Sequence, residues 1–313
     1  MNAGNFGTLP AYAELQVASD FSFLHGASRA EEYVARAAQL GYSAIAITDE
    51  CSLAGVVRAH VEAKAANMPL IIGSHFRLTA ADGSPALAFT ALAMNRDGYG
   101  NLCEFISLGR MRGKKGTYRL APLDLDHPEA PYTHLRGLPD CVAILSPDFP
   151  ANDQRLDAQV EWIARVFGDR AWVALTLHAR AMDDIHRGVV ERVAARHGVP
   201  VVATSWPLMH VRSRKPLQDV LTGIRVGRPV AECGYELAPN AERHLRSRLR
   251  LANLYPAGAL EETIRVARRC TFSLDDLKYE YPDELVPAGT DATTYLREQT
   301  YIGARRRFPA GIP

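Results

Sequence analysis

Along the chain, short apolar runs alternate with longer stretches in which apolar residues recur every three or four positions. The runs at Ala13–Val17, Ala44–Thr48, Leu70–Gly73, Ala86–Leu92, Val142–Leu145, Trp172–Leu177 and Val199–Ala203 read as strands, being short, nearly continuous in apolar character and bounded by breakers. The helical period occupies Arg29–Leu40, Leu53–Ala66, Tyr99–Arg110, Leu156–Val166 and Met182–His197. Gly41 and Gly198 follow the first and last of these, where a helix ends most cheaply on a residue that accepts positive φ. Ser28 and Glu31 have the Ser-x-x-Glu spacing of a capping box.

Repeated strand-then-helix units imply parallel strands joined by right-handed crossovers, and about seven of them favour a closed α/β barrel over an open sheet. A doubly wound sheet is the alternative, although no Gly-x-Gly-x-x-Gly follows a strand. In a barrel the residues just past the strand ends converge on one face. Here they are Gln16 and Ala18; Thr48, Asp49 and Glu50; Ser74 and His75; Ser146, Pro147 and Asp148; His178; and Thr204 to Leu208. A hydrolytic multi-metal site needs a dense ring of imidazoles and carboxylates, because each cation must be charge-compensated and held in fixed geometry. Asp49, Glu50, His75, Asp148 and His178 have that chemistry, but Ala18, Trp206, Pro207 and Leu208 do not, and a Trp would fill the volume a metal cluster needs. His75 and His178 can equally be buried, hydrogen-bonded histidines. Asp49 can equally hold a loop or cap the helix that follows Leu53.

Several long words resemble PHP domains (polymerase and histidinol phosphatase), in the version at the front of bacterial error-prone C-family DNA polymerases. Glu14-Leu-Gln-Val-Ala-Ser-Asp-Phe-Ser-Phe-Leu-His-Gly-Ala-Ser28 is similar to the first motif, whose metal-binding His-x-His falls on Gln16 and Ala18. Ala46-Ile-Thr-Asp-Glu-Cys-Ser-Leu-Ala-Gly-Val-Val-Arg-Ala-His60 resembles the second, with Glu50 in place of a histidine. Ile71-Ile-Gly-Ser-His-Phe-Arg-Leu78 resembles the third, with His75 in place of a glutamate. Val202-Ala-Thr-Ser-Trp-Pro-Leu-Met-His210 resembles the last, where Trp206 and Leu208 stand for Asp-x-His. His25 stands where many replicative relatives carry an acid. The likeness continues through Met209–Gly234, Pro239–Ser247, Arg269–Asp275 and Tyr279–Pro287, so it covers nearly the whole chain.

The resemblance implies a distorted (β/α)7 barrel over residues 1–270, with 271–313 leading into the polymerase palm. It implies no cofactor in this part and magnesium in the palm of a longer chain. Implied partners are palm and thumb of that same chain, DNA, and, through regions elsewhere, a sliding clamp and mutagenesis accessory proteins. Two functions follow: a metal-free structural module of a damage-induced translesion polymerase, or a metal-dependent phosphoesterase or proofreading nuclease with a residual site.

Composition changes this little. Of 313 residues, 47% are hydrophobic, enough for a large core, and the net charge of +1 gives no global pull toward polyanions. Local basic sets remain: Arg112, Lys114 and Lys115 in one loop; Arg212, Arg214 and Lys215; and Arg243, Arg246, Arg248 and Arg250. Five widely spaced cysteines without a C-x-x-C argue against disulfides and a zinc ribbon. No apolar run is long enough to span a bilayer, and Met1–Gly7 lacks the features of a signal peptide, which suggests a cytoplasmic protein. The tail holds an amphipathic segment with Tyr295, Leu296, Tyr301 and Ile302.

Overall fold

The computed structural model describes residues 9–278 and 286–311; Met1–Gly7 and most of the Tyr279–Pro287 word lie outside the described residues. Seven strands form one sheet in chain order: β1 (Ala13–Glu14), β2 (Ala44–Ile47), β3 (Leu70–Thr79), β4 (Pro85–Ala93), β5 (Cys141–Leu145), β6 (Ala171–Leu175) and β7 (Val201–Ala203). Helices α1 (Ala30–Gln39), α2 (Val56–Ala66), α3 (Arg96–Arg112), α4 (Leu123–Asp126), α5 (Asp153–Phe167) and α6 (Asp183–Arg196) fall between or beside them. After β7 come α7 (Lys215–Val226), α8 (Arg248–Leu254), α9 (Ala257–Arg269) and, in a separate unit, α10 (Ala292–Arg307).

The result is a distorted seven-stranded α/β barrel. The expectation of parallel strands fails at β4, which runs antiparallel to both β3 and β5. The reason is local: β3 extends to Thr79 and turns back through Ala80–Ser84, with Gly83 at φ +83°, where no crossover helix intervenes. The other strand pairs are parallel.

Burial on both faces explains why the strands read as unbroken apolar runs. In β2, Ala44 and Ala46 face the barrel interior while Ile45 and Ile47 face the helices. Val142 and Ile144 of β5, Trp172 and Ala174 of β6, and Val202 of β7 complete the inner layer with Leu15 and Ile71. Both cap glycines adopt positive φ, Gly41 at +67° and Gly198 at +66°. The capping box is shifted by one residue: Glu32 accepts from the Arg29 backbone N–H at 2.8 Å, while Ser28 instead bonds Nδ1 and the backbone N–H of His210. Helices α7, α8 and α9 lie outside the segments for which periodicity predicts a helix.

No ladder joins β1 to β7. Glu14 bridges that seam from full burial, accepting from Thr204 Oγ1 at 2.7 Å, Ser205 N–H at 3.0 Å and Tyr12 O–H at 2.8 Å. Alongside, α9 packs on both edge strands; its Thr263 hydroxyl accepts from Ala13 N–H at 3.1 Å and its Val266 enters the inner cluster. The first compact unit runs to Asp276, because Thr271 donates to Met94, Phe272 stacks on Tyr99 and Asp275 meets Lys64 and His60. The second unit, Leu277–Pro313, contains α10, an exposed helix capped by Asp291.

Glu14→Ala strands three buried donors and is expected to cost about 3 kcal/mol or more in urea unfolding, while Glu14→Gln, which keeps an acceptor, costs less. Equal stability of Glu14→Ala and the parent would refute the bridging role.

Candidate functional site

The strand ends open on a cavity of about 660 Å³. Of the residues the sequence singled out, His25, His75, Asp148, His178, Trp206 and Leu208 line it. Gln16 lies beneath, fully buried, with Nε2 donating to Thr90 Oγ1 at 2.8 Å and Ser146 Oγ at 3.0 Å. His75 faces Thr90 across the β3–β4 ladder, and its Nδ1 pairs with the same hydroxyl at 3.2 Å. Gln16, Thr90, Ser146 and His75 are thus one polar cluster at the floor.

Ala18 is occupied through its backbone, accepting from Tyr33 O–H at 3.1 Å. Glu50 is not part of the ring expected at the mouth: its carboxylate turns to Tyr118 O–H at 2.9 Å and Arg77 Nε at 3.6 Å. Asp148 is exposed and paired with Arg155 at 2.9 Å. His178 has Nε2 at 2.8 Å from the Ser205 carbonyl, which makes that nitrogen a donor. Asp49 holds the loop, its buried carboxylate accepting from Ser19 N–H at 2.8 Å, Ser19 O–H at 2.7 Å and Ser22 O–H at 2.7 Å. Among the described residues no group of three or more His, Cys, Asp or Glu side chains is placed to hold a metal ion.

Trp206 lines the cavity, which stays open beside it. Its half-buried indole meets His75 edge-on at 4.4 Å between centroids, and its backbone sits at φ +40°. The Arg243 guanidinium donates through Nε to the Trp206 carbonyl at 3.2 Å, fixing the turn. Burial, then Arg77 and Arg243, push His75 down to about 3; burial, then Arg243, hold His178 well below the usual imidazole range. Both rings are therefore neutral near pH 7.

Of the basic residues, most are paired. Arg112 meets Asp124 at 2.6 Å, Arg212 meets Glu242, Arg214 meets Glu32 and Lys215 meets Asp219. Lys114 and Lys115 lie exposed in a turn. Arg246 is buried, bonding the Glu242 carbonyl at 2.8 Å, so it is core and not a contact surface. Sequence reasoning missed Arg77, Arg180 and Arg225 as cavity residues, because they come from β3, from the loop after β6 and from α7, with no shared motif.

The sequence matches the PHP domain family over residues 14–176, just over half of the chain. The chain belongs to the PHP domain family. An error-prone DNA polymerase of Bordetella parapertussis is 59% identical over 304 residues, covering 97% of this chain and 29% of that polymerase. One from Burkholderia mallei is 54% identical, covering 98% and 30% respectively. The chain thus spans less than a third of the length of these curated relatives. A structure of an amidohydrolase from Chromobacterium violaceum shows a distant likeness at 13% identity and TM-score 0.45, covering 64% of this chain and 88% of that one. Within the PHP domain, the family match begins at Glu14, the seam residue, and reaches into the loop after β6.

Acid should destabilise the barrel. An unfolded histidine takes up a proton near pH 6.5, whereas folded His75 does so only near 3. Stability is therefore intact above about pH 6.5 and falls below it, by up to about 1.4 kcal/mol per pH unit for each such histidine. Melting temperature against pH should drop from pH 6.5 to 5, and His75→Gln should flatten the curve; an unchanged slope would contradict it.

Proposed function

We propose that this chain is the front, PHP module of an error-prone C-family DNA polymerase, and that its barrel mouth is a metal-free remnant without phosphoesterase activity. Nucleotidyl transfer, in this reading, belongs to magnesium-binding palm carboxylates in the rest of a longer chain. The setting is damage-induced translesion synthesis in the cytoplasm, with DNA, a sliding clamp and mutagenesis accessory proteins as partners. Close similarity to proteins named error-prone DNA polymerase supports the first part.

One observation carries the second part. Of the positions where the resemblance expects a ligand, Ala18, Trp206 and Leu208 offer no metal-binding atom, and Gln16, Glu50 and His75 are each drawn into hydrogen bonds with neighbouring side chains. Gln16 Nε2 serves Thr90 and Ser146 while its Oε1 has no partner among the described residues, and Glu50 Oε1 serves Tyr118 and Arg77. A cation there would also face the Arg243 guanidinium with no compensating carboxylate cluster. Packing and hydrogen bonds take over the role of holding the strand ends.

The 313-residue chain should carry far less than one transition metal per molecule by mass spectrometry. It should hydrolyse neither phosphomonoesters nor DNA ends with added manganese, and it should not extend a primer. Stoichiometric metal with chelator-sensitive hydrolysis, or primer extension, would falsify the reading. DNA affinity should be weak and fall steeply with salt, since four of the six basic candidates are internally paired, and Lys114→Gln with Lys115→Gln should weaken it further.

A further inference from the structure

The cavity at the barrel mouth carries unbalanced charge. Arg77, Arg155, Arg180, Arg225 and Arg243 line it, against two carboxylates, Asp148 and Glu236. Arg155 is neutralised by Asp148 at 2.9 Å, and Arg180 by Asp183 at 3.3 Å while lying on the Phe149 ring. Arg77 reaches only Glu50, at 3.6 Å, and Glu50 already accepts from Tyr118. Arg225 and Arg243 meet no carboxylate within salt-bridge distance among the described residues. Glu236 is exposed and pairs with none of these guanidiniums.

Arg243 is the central group. The only hydrogen bond its guanidinium makes among the described residues is the Nε donation to Trp206, so both Nη groups are left to the cavity. Burial, and the nearby Arg180 and Arg77 cations, lower it to about 10, which still leaves it charged at neutral pH. A cation held half-buried among other cations is an electrostatic cost that a bound anion removes.

We propose that the mouth of this barrel is an oxyanion receptor in which Arg243, aided by Arg225 and Arg77, holds a phosphoryl dianion. The guanidinium fork matches phosphate oxygens in geometry, and two uncompensated guanidiniums match a dianion in charge. A cavity of about 660 Å³ also has room for an organic portion beside Trp206 and Leu208. The site binds without cleaving: burial holds all three histidines on its wall, His25, His75 and His178, below the usual imidazole range, and among the described residues no group of three or more His, Cys, Asp or Glu side chains is placed to hold a metal that would activate water. The inference rests on the metal-free reading of the same site.

The test is the melting temperature of the 313-residue chain in EDTA, titrated with inorganic phosphate or dAMP at constant ionic strength against chloride. A saturable rise in melting temperature that survives EDTA is expected with both. Arg243→Gln should weaken the apparent affinity about tenfold or more, and Arg225→Gln severalfold, the loss of one charge-assisted contact each. Arg268→Gln, exposed on α9 outside the cavity, should leave it unchanged. Equal affinity for the two ligands identifies free phosphate as the source; tighter dAMP identifies a nucleotide resting on the Trp206 wall. No saturable shift with either ligand overturns the proposal. So does an affinity unaltered in Arg243→Gln or, should that variant not fold, in the surface variant Arg225→Gln. A shift that disappears in EDTA overturns it too, and shows that the metal-free reading failed first.

Discussion

A carboxylate buried at the seam between the first and last strands holds this barrel closed. β1 is paired over only two residues and, among the described residues, has no ladder to β7; just past the strand ends the backbone contributes one bond across the gap, from Ala18 N–H to the Pro207 carbonyl at 3.4 Å. Glu14 adds two bonds across the seam, from Thr204 and Ser205, and is steadied by a third from Tyr12 on its own side. Burial raises its pKa, and the bonds from Thr204 and Tyr12 offset part of that cost. Those contacts fix the chain immediately before Trp206 and Leu208. The position of the cavity wall is therefore a consequence of the seam.

At the mouth, hydrogen bonds and packing join the strand ends: Gln16 to Thr90 and Ser146, His75 against Trp206, Asp49 to Ser19 and Ser22. Neutral histidines suit this arrangement, because a protonated imidazole beside Arg77 and Arg243 would add charge with nothing to balance it. The cationic character of the mouth is supplied by guanidiniums, which stay charged at neutral pH.

Much of the fold was legible in the sequence because strand runs and helix periods are local signals. All seven strands fall at or near the expected segments, and Gly41 and Gly198 end their helices with positive φ. The antiparallel β4 was not legible. An apolar run buried on both faces looks the same in either direction, and the turn at Gly83 resembles any other polar break. The displaced capping box has a similar origin: Ser28 had two possible partners, and the distant His210 won.

The sequence by itself determined the alternation of elements, the family and the absence of ligand-type side chains at Ala18, Trp206 and Leu208, since each depends on residue identity or short spacing. Only the tertiary structure decided which polar groups are spent. Glu50 and Asp49 are neighbours in the same motif, yet one turns outward to Tyr118 and the other inward to Ser19 and Ser22. Likewise Arg243 and Arg246 belong to one basic run, yet one faces the cavity and the other lies in the core. Charge and hydrogen-bonding capacity are written in the residue; whether they are satisfied depends on partners tens to hundreds of positions away, which only the closed barrel brings within reach.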